Sequence, residues 1–228
     1  MGPAIVLQHF SLAINGVDIL PTINAHFNAG QLHAITGANG SGKSSLLKAI
    51  LGLAPHQGRI ERHWQGTDGT KGKVRPVAYV PQQSAFEPSL PITVNEFLLA
   101  SLTRRPFFAW RKMTDLKKAQ SLLQRVGMQD KGHLRLGELS GGERQRLLFA
   151  QALERDALLW CLDEPMTGLD LQAQALINQE IKQLREQGAT LLVIHHDPHW
   201  VQQYADQVWC VDNGLFEGFS STAKGQEP

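Results

Sequence analysis

The apolar positions of this 228-residue chain change period several times, and each change marks a segment. From Ala4 to Phe27, β-type residues are interrupted by Asn15-Gly16, a dipeptide suited to the positive φ angles of a tight turn, so two antiparallel strands are predicted. Gln31 to Thr36 is a short strand running into a glycine-rich turn, and Ser44 to Leu51 is a helix that Gly52 can close. Arg59 to Trp64 predicts an edge strand, Gly66 to Arg75 a solvated loop and Val77 to Val80 a buried strand. The period then becomes helical from about Val94 to Leu153. Within that stretch Leu116, Ala119, Leu123 and Val126 share a face behind Thr114, an expected N-cap, and Gly127 is placed to stop the helix. Alternation of strand and helix returns with Leu158 to Leu162, a helix from Leu171 to Gln187 carrying Ile177, Ile181 and Leu184 on one face, and the strand Thr190 to Ile194. Asn213-Gly214, between Val208 to Val211 and Leu215-Phe216, predicts a closing hairpin, and Ser220 to Pro228 a loose tail.

This order predicts an α/β fold with a parallel sheet, preceded by an antiparallel β subdomain and interrupted by helices. The length suits one domain over residues 1–228, too short for two complete ones. Lys and Arg total 22 against 21 Asp and Glu, so no global attraction to nucleic acid or anionic lipid is expected. No run reaches the ~18 apolar residues a membrane helix needs, and Met1 to Phe10 lacks the marks of a secretory leader, so a cytosolic chain is expected. Cys161 and Cys210 lie in apolar runs and read as buried reduced thiols.

The candidate chemistry begins at Gly37-Ala38-Asn39-Gly40-Ser41-Gly42-Lys43-Ser44, a P-loop pattern between a strand and a helix, with Ser45 next in line. Glycines let backbone N–H groups turn inward around phosphate oxygens, and the helix N-terminus adds its positive end. Lys43 supplies a point charge for the β- and γ-phosphates, and the Ser44 hydroxyl suits Mg²⁺. A glycine-rich strand-to-helix turn with no ligand would share the pattern. A second acidic element answers that reading: Leu158 to Leu162 ends in Asp163-Glu164, which places Asp163 at the carboxyl edge of a buried strand as a second Mg²⁺ ligand. Glu164 is then positioned to orient and polarise an attacking water.

Leu139-Ser140-Gly141-Gly142-Glu143, followed by Arg144-Gln145-Arg146, resembles the signature motif of ATP-binding cassette (ABC) ATPases. Its chemistry is again anion capture, through the Ser140 hydroxyl and the N–H groups of Gly141 and Gly142 at a helix start; Ser140 also suits an N-cap. The resemblance implies a P-loop ATPase core with an N-terminal antiparallel β subdomain and an inserted helical subdomain at about residues 84–152. It implies ATP and Mg²⁺ as cofactors and a second cassette, packed head to tail, whose signature closes over this chain's ATP. It implies further that Gln82, in Tyr79-Val80-Pro81-Gln82, is the glutamine that contacts Mg²⁺ and water, with Gln83 the alternative register. Asp170, in Thr167-Gly168-Leu169-Asp170, falls at the dimer interface, and His196, in Ile194-His195-His196-Asp197, is the histidine that touches the γ-phosphate, leaving His195 a strand-end residue. The partners implied are an ABC-type membrane permease and a periplasmic or surface substrate-binding protein, with the chain peripheral on the cytoplasmic face. Leu90 to Phe97 is similar to the matching stretch of bacterial zinc and manganese importer ATPases. One position departs from the family: where an aromatic ring usually stacks on adenine stands Ile14, with His9 and Phe10 out of register, so weaker discrimination between ATP and GTP is expected.

His195, His196 and His199 could form a zinc site, but they straddle a strand end and a loop. Arg104 to Lys112 mixes basic and aromatic residues, yet Pro106 interrupts an amphipathic helix and a surface loop explains the run as well. An ABC-type ATPase working on nucleic acid or ribosomes would be expected to carry two cassettes or heptads, and a P-loop kinase or GTPase has no use for the Leu139 to Glu143 motif.

Overall fold

In a computed structural model of the chain, residues 1–14, 16–64, 76–82, 90–102 and 113–218 are described. The solvated loop at 66–75, the basic and aromatic run at 104–112, Gln83 and the tail lie outside these residues.

Two β-sheets carry the strands. The first is antiparallel, with order β2-β1-β4, built from β1 (Ala4–Ile14), β2 (Val17–Phe27) and β4 (Gln57–His63). Its inward positions alternate on either side of an irregularity at Gln8 and His9, where His9 has φ at +48°, and Ile5, Leu7, Phe10, Leu12 and Phe27 are all essentially inaccessible to solvent. The second sheet has the order β5-β6-β7-β3-β8-β9. It comprises β3 (Leu32–Thr36), β5 (Val77–Val80), β6 (Leu159–Asp163), β7 (Thr190–Ile194), β8 (Gln207–Val211) and β9 (Leu215–Glu217). β6, β7, β3 and β8 run parallel, and β9 closes the antiparallel hairpin expected at Asn213-Gly214. Every residue of β6 and β7 is buried, as a parallel sheet covered on both faces demands.

The chain divides into two compact units. Residues 1–79, 157–164 and 182–228 form the first, which holds the antiparallel sheet, nearly all of the second sheet, α1 (Lys43–Ile50) and α6 (Pro198–Tyr204). One core joins Leu46, Leu47 and Ile50 of α1 to Leu159, Cys161, Leu192 and Ile194 of the parallel strands and to the inner face of β1 and β2. Residues 80–156 and 165–181 form the second unit, in which α2 (Val94–Leu102), α3 (Met113–Arg125) and α4 (Gly141–Leu153) pack on one another. Helix α5 (Leu171–Glu186) begins in this unit and ends in the first.

Several boundaries move. Thr114 is not a cap but sits in the first turn of α3, which already includes Met113. The stop at Gly127 follows expectation: with φ at +66°, it lets Gly127 N–H donate to Gln124 O (3.1 Å) and Met128 N–H to Leu123 O (2.8 Å), the paired bonds of a Schellman ending. Helix α6 was not anticipated, although Asp197 followed by Pro198 is a cap and first-turn signal; Asp197 Oδ1 accepts His199 N–H at 2.9 Å. Both cysteines are free, but only Cys161 is fully buried, and burial raises its thiol to about 12.

A buried histidine ties the sheet to the turn before it. His33 is wholly inaccessible; its Nε2–H donates to Asn28 O (2.9 Å), Nδ1 faces Trp209 Nε1–H (3.4 Å), and Phe27 meets its ring edge-on. Burial lowers its pKa to about 4, against the opposing pull of the Asn28 carbonyl and Asp206. The unfolded chain, titrating near 6.5, therefore gains a proton that the folded chain refuses, so stability is full above pH 6.5 and falls as pH drops. The expected loss from His33 is about 3 kcal/mol between pH 7 and pH 4, at about 1.4 kcal/mol per unit. Urea denaturation across that range should show a loss smaller by this amount in His33→Leu; equal slopes would contradict it.

Candidate active site

The phosphate-binding pattern occupies the turn from β3 into α1. Gly37 and Gly42 adopt φ of +134° and +98°, and added Cβ atoms would lie 2.3 Å from Val211 O and 2.6 Å from Ile19 Cγ2, so neither tolerates a side chain. Ala38, Asn39 and Gly40 are exposed on the loop, while Ser41 Oγ is buried with no hydrogen-bond partner among the described residues, a hydroxyl still to be satisfied. Lys43 is 6% exposed, and its Nζ donates to Gly37 O (2.9 Å) and Ala38 O (2.6 Å), which holds the ammonium inside the loop it must charge. Burial lowers its pKa, and Glu164 and Asp163 oppose that shift. Ser45 is half-buried in the first turn of α1.

Strand register brings the acidic element to the same place. Asp163 is opposite Ile194, and Ile194 is opposite Ile35, so β6, β7 and β3 end within one residue of the same level. Asp163, 3% exposed, accepts a bond from Ser44 Oγ at 3.1 Å. Burial raises its pKa, the Ser44 bond opposes this, and Glu164 adds to it. A hydroxyl and a carboxylate this close form a hard-oxygen pair, the donor chemistry Mg²⁺ prefers, so these two residues fit the ion.

Glu164 leaves the strand with φ at +48°, unusual for a residue with a side chain, and its N–H donates to Ile194 O at 3.2 Å. This conformation points its carboxylate at the end of β7, where His196 Nε2 lies 2.7 Å from Oε1. A carboxylate only accepts, so Nε2 carries the proton. That pair was not foreseen, because 32 residues separate its members and only the parallel register joins them. His195, His196 and His199 do not converge: His195 stacks on Trp200 (ring centroids 4.2 Å), His196 faces Glu164, and His199 donates its N–H to Asp197. Among the described residues no group of three or more His, Cys, Asp and Glu side chains is placed to hold a metal ion.

The signature segment lies in the second unit. Ser140 caps α4, accepting Glu143 N–H at 3.3 Å, while Glu143 accepts Ser140 N–H at 2.8 Å. The bond from Ser140 N–H, and then Lys131, hold the Glu143 carboxyl below the usual range. Both Ser140 and Gly141 are exposed. The paired glycines differ in cause. A Cβ on Gly141 would meet nothing within 4 Å, whereas one on Gly142 would meet Gly168 O at 2.8 Å and Leu169 Cδ2 at 3.3 Å. Gly142 therefore lets α4 approach the loop that ends in Asp170, which is exposed and caps α5 through a 2.8 Å bond to Ala173 N–H. Gln82 follows β5 and is exposed; the carbonyl of Pro81 before it accepts from Nε2 of the buried Gln145 of α4 at 3.1 Å, a tie between residues 64 apart that no local motif announces. Ile14, at the end of β1, pairs with Val17. Phe10, the nearby aromatic, is core: it is inaccessible and stacks on His56 at 5.6 Å.

A glycine-lined loop at the carboxyl end of a parallel strand, with a lysine inside it and a Ser–Asp pair beside it, defines a P-loop nucleotide-binding protein. The chain belongs to the ABC transporter family, which it matches over residues 20–167. It is 32% identical, over 94% of its length and 85% of the relative's, to a manganese transport system ATP-binding protein of Halalkalibacterium halodurans. A zinc transport system ATP-binding protein of Treponema pallidum is 36% identical, covering 90% of this chain and 77% of that one. Among solved structures, one described as a metal-chelate type ABC transporter in an inward-facing conformation superposes with a TM-score of 0.76 at 26% identity, over 96% of this chain and 84% of the other. A dimeric ATP-binding cassette bound to ADP and phosphate superposes at 0.77 and 24% identity, over 94% and 100%. No helix among the described residues is long and apolar enough to cross a membrane.

The glycine geometry makes a prediction. Gly142→Ala should lower the melting temperature by several degrees, as a clash worth about 1–3 kcal/mol implies, while Gly141→Ala leaves it within about a degree. Thermal unfolding of both proteins checks this, and equal shifts would remove the distinction.

Proposed function

We propose that this chain is the ATP-hydrolysing subunit of a metal-ion importer, acting as one half of a cassette pair docked on a separate permease. The observation that carries the reading is the 2.7 Å contact of His196 with Glu164, beside Lys43, Ser44 and Asp163 at the ends of three parallel strands. Backbone N–H groups of residues 37–45 cradle the phosphates and Lys43 charges the β- and γ-oxygens. Mg²⁺ held by Ser44 and Asp163 would neutralise phosphate charge. Glu164 orients a water and draws its proton, and His196 holds that carboxylate in place while its ring faces the γ-phosphate. Ser140, Gly141, Gly142 and Asp170, all in the second unit, serve the partner cassette's nucleotide, and both signature residues Ser140 and Gly141 are open to solvent as this requires.

Cargo and partners follow from the relatives. Proteins 32–37% identical over most of this chain are named as manganese or zinc transport ATP-binding subunits, so zinc or manganese is the proposed cargo. The same reading places the chain on the cytoplasmic face of the membrane, as a homodimer, with a substrate-binding protein outside and no nucleic-acid partner. The second unit is the proposed helical subdomain.

Glu164→Gln should lower ATP turnover by at least about a hundredfold, the size of a general-base contribution, while nucleotide still binds and an ATP-dependent dimer accumulates on gel filtration. Parental turnover would remove Glu164 from the mechanism. In cells carrying the permease, that variant should also abolish uptake of radiolabelled zinc or manganese; unchanged uptake of both would refute the cargo.

Phe10 is committed to the core and Ile14 stands where the family usually carries an aromatic ring, so stacking on the base, worth about 1–3 kcal/mol, is forfeited. GTP should therefore compete with ATP within about tenfold in a hydrolysis assay; an ATP preference above about a hundredfold would overturn this.

A further inference from the structure

His196 depends on a turn, and that turn is built around its neighbour. We infer that His195 is a positioning residue for His196: its neutral ring, stacked on Trp200 and accepting Asp197 N–H at Nδ1, locks the strand-to-helix turn that aims His196 at Glu164. The inference rests on the proposed role of His196.

Four observations meet at this ring. Its backbone N–H donates to Ile35 O at 3.3 Å, which fastens the turn to β3. Its plane lies 12° from that of Trp200, with centroids 4.2 Å apart, and Trp200, 5% exposed, stacks in turn on Tyr204 at 5.1 Å, so the ring is seated on the inner face of α6. Nδ1 accepts Asp197 N–H at 3.1 Å, a bond that spans His196 and fixes the residues on both sides of it. Finally, Asp197 caps α6 through its side chain, so the residue that donates to His195 also anchors the helix start. His196 itself is 41% exposed at its side chain, and its ring bonds to Glu164. Its aim is therefore set by its neighbours.

The bond requires one tautomer. Nδ1 accepts only if the proton is on Nε2, and a doubly protonated ring would set a donor against the Asp197 N–H. Burial lowers the pKa of His195, so the accepting form persists below the usual histidine range. The charged groups acting on the ring are Asp197 in the same turn and Glu164 at the end of β6, which favour protonation, and His196, which opposes it; Trp200 and Ile35 are its uncharged neighbours.

Two variants separate the stack from the acceptor. His195→Phe keeps an aromatic ring against Trp200 but offers no acceptor, and kcat should fall about tenfold with KM for ATP changed by less than about twofold. His195→Asn keeps an acceptor oxygen near the Nδ1 position and cannot titrate. At pH 7.5 its kcat should stay within about threefold of the parent, and as the pH is taken below the usual histidine range, to the acid limit at which both proteins stay folded, it should lose less activity than the parent does. Parental kcat in His195→Phe, or an acid profile for His195→Asn that superposes on the parent's, would overturn the inference. If His195→Phe does not fold, the His195→Asn profile decides alone. His196→Ala is assayed beside them: parental activity there would overturn the proposed role of His196, whereas its loss together with a fully active His195→Phe overturns only the role of His195.

Discussion

Ile35, Ile194 and Asp163 stand side by side across three parallel strands, and the rest of the site depends on that register. The strands end within one residue of that level, so the first residues beyond them are delivered to one edge of the sheet: the glycine loop after β3, Glu164 after β6, and His195 and His196 after β7. A parallel ladder has evenly spaced, slanted bonds, and a slip of one residue would turn Asp163 to the other face. The register is held by burial, because β6 and β7 have no exposed residue and any shift would leave apolar side chains without their neighbours in the core.

That burial creates the electrostatic character of the edge. Lys43 and Asp163 are both nearly inaccessible, and desolvation presses each toward its neutral form. Their charges are supported by partners: Lys43 by the Glu164 and Asp163 carboxylates, Asp163 by the Ser44 hydroxyl and the nearby lysines. Such groups are costly to assemble and gain most from a ligand that supplies the missing charge, which is the property a phosphate and divalent-cation site requires. Glu164 departs from this pattern. It pays in backbone conformation, with a positive φ, for a side chain aimed across to β7.

The second unit is organised around backbone proximity. Gly142 lets α4 lie against the Gly168 carbonyl, Arg146 Nη1 donates to the carbonyls of Val126 and Gly127, and Arg125 pairs with the buried Glu180 of α5. The signature turn, the end of α3 and the start of α5 are thus held by few, specific contacts. Exposed Ser140, Gly141 and Asp170 are carried on this frame.

Much of this was legible in the chain alone. The P-loop, the Asp163-Glu164 strand end and the signature are contiguous runs in which residue type follows from local chemistry, and the alternating periods of the flanking segments revealed the elements that carry them. Local signals erred where boundaries rest on packing, as at Thr114, and overlooked α6 despite its Asp-Pro start. The sequence by itself determined which groups were present and on which kind of element. Tertiary structure decided which of them meet: Glu164 with His196, His195 with Trp200, Gln145 with Pro81, and Phe10 with the core instead of a base. The reason is physical, since a motif is written along one backbone while a contact between distant residues is set by strand register and burial, which no short stretch of sequence contains.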